Sequence, residues 1–101
     1  FVHETESQVI LNGSYNINFT MDLVLKDTGL FDELSKKLKA PLEISPKVVE
    51  IFKDGQKKYG SRAWSSMIVK RMEDLNNIDF RAEGFPEELI DNEIEEKGYE
   101  I

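Results

Sequence analysis

The stretch Thr20-Met-Asp-Leu-Val-Leu-Lys-Asp-Thr-Gly-Leu-Phe-Asp-Glu-Leu-Ser-Lys-Lys-Leu-Lys39 decides how this chain folds. On a wheel turning about 100° per residue, Leu23, Val24, Leu30, Phe31, Leu34 and Leu38 fall on one face. Thr20 offers a cap oxygen, and Asp22 sits in the first turn, where the helix dipole favours an anion. Lys36, Lys37 and Lys39 fill the last turn, where cations are favoured. Ala40-Pro41 then stops the helix, because the residue before a proline avoids helical angles. The spacing predicts one amphipathic helix, roughly 30 Å long, with its apolar face turned to a core.

Asp27 falls in the middle of that apolar face, with Leu23, Val24, Leu30 and Phe31 at i±3 and i±4. Burying a carboxylate there costs several kcal/mol (roughly) unless a partner compensates it. Two readings stand. Asp27 accepts a hydrogen bond from a cation at a functional site, or it serves structure by capping a neighbouring helix or pairing with an arginine such as Arg62. Lys26 borders the same stripe. It either pairs with Asp22 one turn earlier, worth about 0.3–0.5 kcal/mol, or stands as a cation at the edge of a cleft that takes an anion. Phe19, just before the cap, suits a hydrophobic staple.

Around this helix the chain predicts more helices and no strands. Phe1 to Leu11 carries Val2, Val9 and Ile10 at helical spacing, ends at Asn12-Gly13 and has no start signal, so the chain is expected to open inside a longer helix. Ser45-Pro46 starts a further helix, with serine as cap and proline at the first helical position. Its apolar face is Val48, Ile51, Phe52 and Tyr59, with Gly55 in the middle, where it admits a close neighbour. Gly60 closes it. Ser61 is expected to cap another helix running through Leu75, with Trp64, Met67, Ile68, Met72 and Leu75 as its stripe; Trp64 belongs to the core or to a dimer contact. Residues 79–101, beyond a helical domain over 1–78, read as an irregular acidic tail lying along the domain or a partner. Phe80, Phe85, Leu89 and Tyr99 are its apolar anchors, with a short helix over Glu87–Asn92.

Composition excludes several functions. The formal net charge is −7, from 20 acidic against 13 basic residues, which disfavours nucleic acid and anionic membranes. The chain has no cysteine, so disulfides, zinc–thiolate sites and thiol nucleophiles are out. His3 is the only histidine, so neither a Ser/His/Asp triad nor a histidine-rich metal site can be built, and no metal is expected. No apolar run reaches the roughly 20 residues of a membrane span. No signal peptide opens the chain, which points to the cytoplasm. No GxGxxG or Walker sequence occurs, so nothing here cradles a dinucleotide alone.

The run Asn12-Gly-Ser-Tyr-Asn-Ile-Asn-Phe-Thr-Met-Asp-Leu-Val-Leu-Lys-Asp27-Thr-Gly-Leu30 resembles the start of the C-terminal core in the 3-hydroxyisobutyrate dehydrogenase family. Members show a glycine, a short gap, a phenylalanine, then a helix with Lys-Asp followed by leucine. Ala40-Pro-Leu42, the Ser45-initiated helix, the helix ending near Lys70 and Glu73, and the ending Arg81-Ala-Glu-Gly-Phe-Pro86 to Lys97-Gly-Tyr-Glu100 look similar too. The resemblance implies an all-α helical bundle like the C-terminal domain of 6-phosphogluconate dehydrogenase-like enzymes. It also implies an oxidoreductase moving a hydride between NAD or NADP and a small β-hydroxyacid, acting as a homodimer or larger oligomer. By that resemblance Lys26 contacts the cofactor, Asp27 orients a catalytic lysine, and Phe19 lines the substrate cleft. The glycine-rich motif and the catalytic lysine lie upstream in the family and are not among these 101 residues. The chain alone is therefore expected to be inactive. The competing expectation is a stand-alone helical interaction or dimerisation module without catalysis.

Overall fold

The structure, a computed structural model, describes residues 2–86, 94, 97 and 98. Among these residues the fold is all-α: α1 (Val2–Asn12), α2 (Met21–Lys37), α3 (Ser45–Tyr59), a 3₁₀ turn (Ser65–Met67) and α4 (Ile68–Asn76). None of the described helices is long and apolar enough to cross a membrane. The short helix expected over Glu87–Asn92, and the anchors Leu89 and Tyr99, lie outside the described residues.

α2 packs chiefly on α3, α4 packs on α3, and the 3₁₀ turn joins α1 to α4. Gly55 makes the α3 contact possible. A Cβ there would lie 2.8 Å from Ile68 Cδ1 and 3.4 Å from Met21 Cε, so a larger residue would make these side-chain ends shift where three helices meet. The apolar core is small: Val9, Tyr15 and Met21 are buried, together with the polar Thr20, Ser65, Ser66 and Glu73.

The helix expected from Ser61 begins later. Residues 61–64 form a turn and an isolated antiparallel bridge, Thr20 to Trp64, before the 3₁₀ turn at Ser65. The cause is the start of α2. Met21 N donates to Ala63 O at 2.9 Å and Asp22 N to Ser61 O at 3.0 Å, while Ser65 N donates back to Phe19 O. The first amides of a helix have no partner within it, and here a backbone segment supplies them. Thr20 accordingly makes no side-chain cap bond to the backbone, and its hydroxyl donates to the Asp22 carboxylate instead. The expected cap at Ser45 shifts by one residue in the same way. Ile44 is the N-cap, and Ser45 and Pro46 open α3, where a missing N–H costs nothing.

The larger difference concerns α2. Its expected core face is turned outward, with Leu23, Leu30, Phe31, Leu34 and Leu38 between 36 and 68 % exposed. The side that meets α3 and the rest of the bundle carries Met21, Leu25, Thr28 and Asp32, which are buried or half-buried. The second apolar stripe differs likewise: Met72 and Leu75 are exposed, and α4 turns Glu73 inward.

Candidate functional site

α2 presents two features of chemical interest on different sides. The outward side has Asp27 set among the exposed leucines and Phe31. The carboxylate is exposed, so burial within this chain does not tax it, contrary to the buried position expected from the wheel. The structural partner suggested for it is engaged elsewhere: Arg62 pairs with Asp22, Nη1 to Oδ2 at 3.2 Å. Among the described residues no ion pair reaches Asp27. Phe19 stands 38 % exposed before the start of the same helix.

The second feature is a groove of about 470 Å³ between α2 and α3. Lys26 lines it and is exposed, without the expected ion pair to Asp22, whose carboxylate is taken by Thr20 and Arg62. Those hydrogen bonds hold Asp22 below the usual carboxylate range, the one from Thr20 first and that from Arg62 behind it. Lys53 and Gln56 reach the groove from α3. The structure thus keeps Lys26 and Asp27 on neighbouring but separate surfaces of one helix. Phe19 does not line this groove.

A third cluster escapes the sequence reading. Tyr15 donates its hydroxyl hydrogen to Glu73 Oε1, and Arg81 Nη2 donates to the Tyr15 hydroxyl at 2.8 Å. The Arg81 guanidinium also sits over the Tyr15 ring, 5.2 Å from its centroid. Glu73 is 1 % exposed. Burial pushes its carboxyl up, but bonds from Tyr15 and Arg81 outweigh that and hold it below the usual range. Tyr15 moves the other way: burial, then the bond to Glu73, raise it to about 12.

Around this cluster, Tyr15 holds a left-handed φ of 56°, unusual for a bulky residue. Ser66 Oγ, donating to Tyr15 O at 2.5 Å, and Tyr15 N, donating to Val9 O at 3.0 Å, fix it there. Arg81 passes Gly13 so closely that a Cβ there would lie 2.5 Å from its Nε. Ala82 N donates to Leu11 O, and Asn12 Nδ2 to Pro86 O. The segment after α4 is therefore tied along α1, and Arg81 does the tying that Phe80 and Phe85 were expected to do; both phenylalanines are exposed. The one sequence signal for this cluster is a lone Glu73 one turn beyond Val69. Its partners stand 58 and 8 residues away.

The described residues contain no group of three or more His, Asp or Glu side chains able to hold a metal ion. No family model matches the chain, and no curated protein or solved structure matches it either.

Proposed function

We propose that this chain forms the helical, C-terminal part of an NAD(P)-dependent β-hydroxyacid dehydrogenase. The observation that carries the reading is the outward face of α2, an apolar stripe with one carboxylate in its middle. Such a face gains from being covered, since removing apolar area from water stabilises by about 25 cal/mol per Å². A cover that left Asp27 unpaired would forfeit much of that gain. The partner this face suits is therefore apolar and carries a cation opposite Asp27. A helix bearing a catalytic lysine, as the sequence resemblance implies, meets both demands.

In this reading Asp27 is a positioning residue. Its carboxylate accepts an N–H from the lysine, fixes where the ammonium points and favours its charged form. Lys26, one residue earlier and turned towards the α2–α3 groove, contacts the cofactor, and Phe19 closes the substrate side. The residues fit the cofactor only at that edge, because the glycine-rich loop that grips a dinucleotide is not among them. When bound, NAD or NADP supplies or accepts the hydride; this chain supplies position, charge and the exclusion of water.

The test is Asp27→Asn in the full-length enzyme. The reading expects kcat to fall with KM little changed, the pH profile of kcat to shift because the lysine has lost its anion, and Asp27→Glu to recover part of the rate. A second reading, a helical interaction module without catalysis, draws on the same exposed stripe. Under it, Asp27→Asn alters association or stability and no rate.

A further inference from the structure

The α2–α3 groove has a charge balance of its own. Of its acids, Asp22 is held by Arg62 and Asp32 by Lys36. Lys26 on α2 and Lys53 on α3 have no ion-pair partner among the described residues. Glu33, the remaining acid, lies two helical turns from Lys26. Lys26 and Lys53 are thus the two groove lysines outside an ion pair among the described residues, one on each helix, on a chain whose net charge is −7.

The floor of the groove adds an independent observation. Gly29 lies mid-helix in α2, where glycine is the poorest helix former after proline. A Cβ built on it would meet nothing within 4 Å. Packing within this chain leaves room for a side chain there, whereas at Gly55 two neighbours would have to shift. What the missing side chain leaves is open space beside the groove that Gly29 lines.

We propose that this groove binds a phosphate group between Lys26 and Lys53, with the body of the molecule over Gly29. Two ammonium groups on separate helices match a dianion. A carboxylate, with one charge, leaves one of them uncompensated. Lysine binds phosphate as a point charge and needs no planar fork geometry. The site rests on the dehydrogenase reading only for the identity of the phosphate bearer, where it gives Lys26 a partner across the groove.

The test is a titration of the labelled 101-residue chain with inorganic pyrophosphate at pH 8 and constant ionic strength. It follows the lysine side-chain signals by NMR, with circular dichroism on every variant. A saturable shift at Lys26 and Lys53 is expected, at least tenfold weaker in K26Q and K53Q. Gly29→Ala should retain binding, and Gly29→Leu should abolish it with helix content kept. No saturable shift, equal affinity in K53Q, equal binding of acetate, or shifts centred on Lys36, Lys37 and Lys39 would overturn the site. A second arm uses NADPH. The same two lysines responding places the cofactor's phosphates in the groove; pyrophosphate binding without NADPH binding supports the site with another phosphate bearer. Asp27→Asn kinetics are blind to this titration, so the site and the dehydrogenase reading fail separately.

Discussion

Glu73 is a carboxylate sealed inside a small bundle, and Tyr15 and Arg81 make it tolerable there. Removing one partner from a buried pair leaves a charge without compensation. Arg81→Ala is expected to cost about 3 kcal/mol in chemical denaturation, at the low end for such pairs because Arg81 keeps one side in water. A cost below about 1 kcal/mol would show that the cluster is not what ties residues 80–86 to α1.

The same cluster sets an alkaline limit. Tyr15 and Tyr59 are both raised to about 12, each by burial first and then by a hydrogen bond to a carboxylate, Glu73 and Asp74 respectively. Below pH 10 both are protonated in the folded and the unfolded chain, and their stabilisation is complete. As pH climbs from 10 to 12 the unfolded chain ionises first, and that stability is lost. For Tyr15 the loss is about 2–3 kcal/mol, and Tyr15→Phe should flatten the profile of stability against pH in that range. Glu73 works in the opposite direction. Its lowered range keeps its contribution intact at neutral pH, to be lost as acid protonates it in the folded state.

At the scale of elements, α2 is apolar on two sides. The wheel identifies the richer side, and that side does not pack. Leu25 and Met21, with small or polar neighbours, face the bundle, while Leu30, Phe31, Leu34 and Leu38 face out. Periodicity reports which residues share a face, but it cannot report what covers that face. α1, α2 and α3 are each legible to within about a residue or two, because caps, prolines and glycines are local signals. The turn at 61–64 is not legible, because its cause is the amide end of α2, some 40 residues earlier. Gly55 is legible as a contact point, and its partners Ile68 and Met21 are not. Of the candidate site, Lys26 and Asp27 could be singled out from the sequence. Lys53, Gly29 and the Tyr15–Glu73–Arg81 cluster depend on tertiary placement and could not. The exposed stripe itself predicts association of the chain in solution. Leu34→Glu should weaken it about 10- to 100-fold in sedimentation experiments, the worth of one leucine's burial, with helix content unchanged. Association of equal strength in the variant would move the contact to another surface.

For the molecule as a whole, the separate sides of α2 divide the work the dehydrogenase reading assigns. In that reading the outward side takes a cation opposite Asp27 and the groove side offers Lys26 to an anion, while residues 81–86 are tied along α1. In this account the 101 residues alone turn over no NAD(P)H, because the dinucleotide site is not built from them. The most direct measurement is kcat of the full-length enzyme carrying Asp27→Asn, with unfolding followed in parallel. The account predicts a fall of roughly 10²-fold or more, on the scale of a misplaced general acid or base, in a variant that stays folded at the assay temperature. A variant that turns over at the parent rate would contradict it.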